Sequence, residues 1–274
     1  MAGLPNSLVL MGAGKMGGAM LEGWLKLGVK GPSVAILDPF PAPSMLDLCA
    51  AHGVKVNPPV AEIAGPEVLV LAIKPQMLDE GAAMLMELAG SGTLVVSVIA
   101  GKTVGNLAAR LPQATKAIVR AMPNTPAAVG RGMTGCWANE AVSADQRAIA
   151  DALLTSIGRV EWVDQEALID AVTAVSGSGP AYVFYLAEAL AQAGEAAGLP
   201  ADLAMRLARA TVEGAGELMY QDQATPAAQL RQNVTSPGGT TAAALQVLMA
   251  EDGLAPLMRR AVAAAQRRAG ELSG

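Results

Sequence analysis

Ser7-Leu8-Val9-Leu10-Met11-Gly12-Ala13-Gly14-Lys15-Met16-Gly17 is the stretch on which the reading of the fold turns. Its first five residues make a short apolar strand. A G-x-G-x-x-G hexapeptide follows, and an apolar helical pattern through Met20, Leu21, Trp24, Leu25 and Leu27 runs to a stop at Gly28. Strand, glycine hexapeptide and helix in that order form a dinucleotide-binding fingerprint: the glycines allow a tight turn, close approach of a pyrophosphate and close helix–strand packing. Working outward, residues 34–37 read as a second strand ending in Asp38. An acid there can accept hydrogen bonds from the adenosine ribose and repel a 2′-phosphate. Residues 39–46 contain no lysine or arginine, which favours NADH over NADPH. The alternative is that Asp38 only caps its own loop.

The alternation of strand and helix continues. Ser44 is expected to cap a helix ending near Gly53, and residues 54–56 to form a third strand before the break at Asn57-Pro58-Pro59. Residues 68–73 are a continuous apolar run suited to a buried parallel strand. They end in Lys74-Pro75-Gln76, a turn placed by the strand's carboxyl end to face a cofactor. Residues 93–99 repeat the pattern and end at Ala100-Gly101. A strand at 117–121 leads into Met122-Pro123-Asn124-Thr125-Pro126, where Asn124 either meets a substrate or shapes a turn. Residues 133–138 add a strand, Ser143 and Gln146 form a capping box for a helix that stops at Gly158, and residues 160–163 make the last strand.

From Gln165 onward the periodicity is helical throughout, so the chain divides by pattern into an α/β Rossmann-type domain at 1–164, with a parallel-dominated sheet, and an all-α domain at 165–274. The helical part is rich in alanine and thin for its length. Its broad apolar faces, among them Leu203, Leu207, Ala210 and Leu218, call for burial against a second subunit. Two glycine-rich stretches interrupt it. Ser176-Gly177-Ser178-Gly179-Pro180-Ala181-Tyr182 serves either a close helix crossing or a ligand, with Pro180 in the first turn of a helix. Val234-Thr235-Ser236-Pro237-Gly238-Gly239-Thr240-Thr241 runs straight into another helix, whose first amides and dipole suit a carboxylate or phosphate.

Composition excludes several classes. The net charge of −5 argues against nucleic acid or an anionic membrane as the main partner. No apolar run approaches the ~20 residues of a membrane span and no signal-peptide pattern opens the sequence. Cys49 and Cys136 lack metal spacing and fit free thiols in a reducing cytoplasm. The single histidine, His52, precedes Gly53 at a helix end, so a histidine triad or a zinc site is not expected.

Taken together, G-A-G-K-M-G at 12–17, A-I-K-P-Q at 72–76, M-P-N-T-P at 122–126, S-G-S-G-P-A-Y at 176–182 and V-T-S-P-G-G-T-T at 234–241 resemble the pyrroline-5-carboxylate reductase family over nearly the whole chain. The resemblance implies NAD(P)H-dependent reduction of the cyclic imine Δ1-pyrroline-5-carboxylate to L-proline, the last step of proline biosynthesis. It implies cofactor contacts at Gly12, Ala13, Gly14, Lys15, Met16, Gly17, Asp38, Asn57, Ala72, Ile73, Lys74, Pro75, Val98, Ile99, Ala100 and Asn233. It implies substrate contacts at Ser236, Gly239, Thr240 and Thr241, with the Thr241 hydroxyl next to the ring nitrogen. A homodimer through the C-terminal domain is also implied, with dimers that assemble further into a ring of five. Asp38 departs from the serine or threonine of many relatives, which puts the usual NADPH preference in question. Two rivals stand beside this reading. A β-hydroxyacid dehydrogenase would need a lysine early in the helical half, and residues 165–206 contain none. A non-catalytic dinucleotide sensor would have no use for a hydroxyl–glycine carboxylate pocket.

Overall fold

The computed structural model describes residues 4–273. Among these, eight strands form one sheet in the order β3-β2-β1-β4-β5-β6-β7-β8. β1 (Leu8–Met11), β2 (Val34–Leu37), β3 (Lys55–Val56), β4 (Val68–Leu71), β5 (Leu94–Ser97) and β6 (Ile118–Met122) are mutually parallel. β7 (Gly132–Ala138) turns back antiparallel to β6, and β8 (Gly158–Trp162) runs parallel to β7.

Every residue of β1, β2, β4 and β5 is buried. Helices cover both faces of such a sheet, so its strands read as unbroken apolar runs rather than alternating ones. Leu8 and Leu10 point into one core with Trp24 and Leu154, while Val9 and Met11 point into another with Leu78 and Leu85. α1 (Lys15–Leu27) and α2 (Pro43–His52) cover the first face; α3 (Met77–Glu80), α4 (Ala82–Leu88) and α5 (Val104–Ala108) cover the second. α6 (Ala144–Thr155) returns to the first, where the Trp24 indole N–H donates to the Leu153 carbonyl at 2.9 Å. The strand order reverses around β1, whose neighbours are β2 and β4, and a ligand crevice opens outside the carboxyl ends of strands at such a reversal.

Local signals held in most places and failed in a few. The capping box is made: Gln146 N–H donates to Ser143 Oγ at 3.2 Å and Ser143 N–H to Gln146 Oε1 at 3.1 Å. The expected Ser44 cap is not made. α2 starts at Pro43, with Ala42 as N-cap and no side-chain cap, because proline's fixed φ suits the first helical position and leaves Ser44 inside the first turn. β4 stops at Leu71 rather than at 73, as Ala72 N–H donates to Met11 O and the chain then turns.

The chain forms two compact units, one running to Gly177 and resuming at Ala265, the other spanning Ser178–Ala264. Composition changes at Asp164, but packing changes later. α7 (Leu168–Val172) buries Ile169, and Val172 rests where a Cβ on Gly135 of β7 would lie 2.5 Å away. A π-helical turn, Thr173–Gly177, follows. Arg120 of β6, with a side chain 5% exposed, reaches Glu166 Oε1 and Asp170 Oδ1, each at 3.3 Å. Ser273 Oγ donates to Asp170 Oδ1 at 3.4 Å, joining the end of the last helix to the same cluster. Residues 165–177 therefore belong with the sheet.

The second unit contains α8 (Gly179–Ala196), α9 (Ala201–Gln221), α10 (Ala227–Asn233), α11 (Thr240–Leu248) and the start of α12 (Leu254–Ser273). α8 and α9 approach through small residues: Ala191, Ala204 and Ala208 are buried, and a Cβ on Gly194 would stand 3.2 Å from that of Ala204. Their large apolar side chains face outward, with Phe184 64%, Tyr185 67% and Leu218 63% exposed.

Removing one partner of a buried ion pair strands the remaining charges, at a cost of about 3–5 kcal/mol. Arg120→Ala is expected to lose about that much stability in urea unfolding, whereas removal of the exposed pair Arg209–Glu213 should cost less than about 1 kcal/mol.

Candidate active site

The glycine hexapeptide sits at the carboxyl end of β1, and its three glycines do different work. Gly12 has φ +94°, and a Cβ there would lie 2.6 Å from the Ala72 carbonyl oxygen. A Cβ on Gly17 would overlap the Gly12 carbonyl oxygen, so only glycine lets α1 lie this close to the turn. Around Gly14 nothing stands within 4 Å of a Cβ, leaving open space for a ligand to reach the backbone. Gly14 is also the N-cap of α1, with no side-chain cap and no acid in the first turn. The first amides of α1 and its positive dipole end thus face outward, a fitting seat for a pyrophosphate.

Asp38 closes the adjacent side. Its Oδ2 accepts from Ala13 N–H at 2.7 Å and its Oδ1 from Phe40 N–H at 2.8 Å. The carboxylate therefore ties the loop after β1 to the loop after β2, and each oxygen keeps a further lone pair for a ribose hydroxyl. Asn57, at φ +48°, clamps the Asp38 backbone: Asp38 N–H donates to Asn57 Oδ1 at 2.9 Å, and Asn57 Nδ2 donates to Asp38 O at 2.8 Å. Asparagine tolerates that left-handed conformation better than most residues. Ala72, Ile73, Lys74 and Pro75 follow β4, and Val98, Ile99 and Ala100 follow β5, so these residues line successive strand ends beside the hexapeptide. Ile99 is 3% exposed, its side chain in the core, and only its backbone is available to a ligand.

A cavity of about 360 Å³ opens beside Asp38 and Asn57. Met11, Pro58, Val60, Ile73, Met77 and Met84 give it apolar walls, and Glu80 joins Asp38 as a second acid in the lining. An apolar slot flanked by an acid able to accept from hydroxyls has the chemistry to take an adenosine. The sequence pattern alone did not single out Met77, Glu80 and Met84; their signal was position, since they lie in the two short helices that follow the Lys74-Pro75-Gln76 turn.

Asn124 resolves toward its structural role. Its Oδ1 accepts from Met133 N–H at 2.8 Å, and its Nδ2 donates to Ser176 O at 3.1 Å and Ser176 Oγ at 3.2 Å. Its amide thereby holds the π-turn that precedes α8. Burial pushes the Cys136 thiol well above its usual range, with Asp151 adding to the effect, which makes it a poor nucleophile.

The remaining expected residues lie in the second unit. Gly239 N–H donates to Ser236 O at 3.1 Å, closing a turn with Pro237 second and Gly238, φ +69°, third. Gly239 is then the N-cap of α11, with no side-chain cap and no acid in the first turn. The amides of Thr240, Thr241 and Ala242 start a helix without intrahelical acceptors, and Ala243 N–H is the first to bond back, to Gly239 O. Asn233 ends α10, where its Oδ1 accepts from Gln229 Nε2 at 2.8 Å and its own Nδ2 stays available as a donor.

Residues 166–272 match the family model described as pyrroline-5-carboxylate reductase dimerisation, and residues 7–101 match one described as NADP oxidoreductase coenzyme F420-dependent. A pyrroline-5-carboxylate reductase of Pseudomonas aeruginosa is 39% identical over 97% of this chain and 96% of its own length. One of Synechocystis is 47% identical over 81% of each. The chain belongs to the pyrroline-5-carboxylate reductase family. The solved reductase of Coxiella burnetii superimposes with a TM-score of 0.87 at 36% identity, over 99% of this chain and 100% of that one. A Plasmodium falciparum pyrroline carboxylate reductase solved with NADP bound gives 0.79 at 28% identity, over 99% of this chain and 100% of that one.

As a member of the pyrroline-5-carboxylate reductase family, the protein is an oxidoreductase with a nicotinamide dinucleotide cofactor. The dimerisation match covers α8 and α9, the helices whose large apolar residues face outward. No helix among the described residues is long and apolar enough to cross a membrane.

Gly17→Ala pushes α1 away from the β1 turn and misplaces the open amides. The variant should bind dinucleotide at least about tenfold more weakly, read by fluorescence titration, because misplaced anion-binding amides lose the geometry that makes them useful. Gly92→Ala, in an exposed turn before β5 where nothing stands within 4 Å of a Cβ, serves as the control and should bind normally.

Proposed function

We propose that this protein reduces Δ1-pyrroline-5-carboxylate to L-proline and uses NADH at least as well as NADPH. The observation that carries the substrate assignment is the entrance of α11. Gly239 offers its helix no side-chain cap, and the open amides stand beside the hydroxyls of Thr240 and Thr241. A substrate carboxylate satisfies those amides, with the Ser236 hydroxyl as a further donor. When bound, the dihydronicotinamide supplies the hydride that reduces the C=N bond. The Thr241 hydroxyl donates toward the ring nitrogen as it gains electron density, and the proton comes from solvent or from an already protonated iminium. Holding the reactants in a near-attack geometry supplies most of the acceleration. Asn233, whose carbonyl oxygen is held by Gln229, keeps its amide N–H groups for the coenzyme contact that the family resemblance implies.

Asp38 supports the NADH reading. A 2′-phosphate would bring nearly two negative charges against its carboxylate, and residues 39–46 hold no cation to offset them. The assembly we propose is a homodimer built on the apolar residues of the 165–274 region, with a ring of five dimers as the larger form implied by the family resemblance. The buried free thiols of Cys49 and Cys136 support a reducing, cytoplasmic setting.

Thr241→Ala should lower kcat by roughly 10–10²-fold while leaving NADH dissociation within about twofold, since one positioned donor to developing charge is worth about that or more. Unchanged turnover with weakened NADH binding would place Thr241 on the coenzyme instead.

Steady-state kcat/KM with the cyclic imine and each coenzyme tests the whole reading. Wild type is expected to favour NADH or to use both equally, and Asp38→Ser to shift the ratio toward NADPH. A wild type that strongly prefers NADPH, with a variant that does not shift, would mean that Asp38 only ties Ala13 and Phe40.

A further inference from the structure

We infer that Glu80 is a second specificity-determining residue, a carboxylate at the adenosine cavity that acts against the 2′-phosphate of NADPH independently of Asp38. The inference rests on the reading above that this cavity takes the coenzyme's adenosine. Three observations carry it. Glu80 and Asp38 both line the cavity, and its lining includes no lysine, arginine or histidine. The two acids are also held differently. Asp38 is committed to the backbone amides of Ala13 and Phe40, whereas Glu80 is exposed at the end of α3 with no hydrogen bond or ion pair among the described residues. Its neighbour Asp79 supplies the contrast, being paired with Arg110, whose Nε donates to Asp79 Oδ1 at 2.6 Å. Arg110 is thus engaged one residue away, and the Glu80 charge is left to act on the cavity.

A phosphate monoester carries about −1.5 to −2 charges near neutral pH, so an uncompensated carboxylate at the cavity selects against it and in favour of a plain ribose. Across a solvent-exposed cavity the effect is moderate and salt-dependent, since charges separated by about a Debye length, ~10 Å at 0.1 M salt, are largely screened. Charge is the active property. Glu80→Gln removes it with little change of shape, and Glu80→Lys reverses it, so the two variants should form a graded series.

The test measures kcat/KM for NADPH and NADH, and calorimetric Kd for ADP-ribose and its 2′-phosphate, in wild type, Glu80→Gln, Glu80→Lys and Asp38→Ser. The NADPH:NADH ratio should rise about threefold in Glu80→Gln and about tenfold in Glu80→Lys, with the Kd ratio of the two fragments following. Both shifts should shrink on going from 0.05 to about 0.5 M salt. An unchanged ratio in Glu80→Lys overturns the inference, as does a shift equally large at high salt. The Asp38→Ser arm reports separately: a ratio that moves with Glu80 but not with Asp38 sinks the Asp38 reading and keeps this one. If neither fragment binds any of the four proteins, the cavity does not take adenosine and both readings fall.

Discussion

Three stretches of backbone crowd together at the carboxyl end of β1. The Gly12 carbonyl oxygen occupies the space that a side chain at 17 would need, and the Ala72 carbonyl occupies the space that one at 12 would need. This closeness lets α1 begin directly over the strand ends, with its uncapped amides facing the reversal in strand order. Other ties extend the same arrangement sideways. Asp38 holds Ala13, and Asn57 holds Asp38, so three consecutive strand ends are linked by hydrogen bonds of 2.7–2.9 Å. An anion-binding site built of backbone needs such bracing, because its donors cannot re-aim themselves as side chains can.

The parts of this arrangement that were legible in the sequence are those whose physics is local. Gly12 and Gly17 answer to backbone constraints within a few residues or at the neighbouring strand, and the buried strands announce themselves as apolar runs. The open entrance of α11 was legible for the same reason, since Pro237 fixes its own φ and Gly238 can take the left-handed conformation that closes the turn. What stayed hidden depends on distant partners. Nothing near Asn124 says that its amide will grip Ser176, and nothing near Asp38 says that its carboxylate will take the Ala13 N–H. The unit boundary was hidden in the same way. Residues 165–177 look like the helical half by composition, yet the Arg120 ion pairs and the hollow above Gly135 hold them to the sheet. Ser44 shows the opposite failure, a local rule beaten by a stronger local rule one residue earlier.

The helical unit obeys a different economy of space. Alanine and glycine between α8 and α9 bring the two backbones close, which leaves little apolar volume inside. The large side chains are turned outward instead, where Val183, Leu186 and Leu190 accompany Phe184 and Tyr185. Such a unit lacks a full core of its own, and association of the kind its family model describes would make its stability depend on protomer concentration.

The C-terminal part of α12 gives the chain an order of events on the ribosome. Leu272 covers Gly101 and Ser273 bonds Asp170, contacts internal to the sheet-bearing unit that the chain supplies only after Ser178–Ala264 has been made. At about 5–20 residues per second, that intervening stretch takes roughly 4–17 s to synthesise. Through that interval the turn after β5 and the Asp170 carboxylate wait without their last partners. The nascent sheet can collapse early, but this seal reaches it only after the whole helical unit has been made.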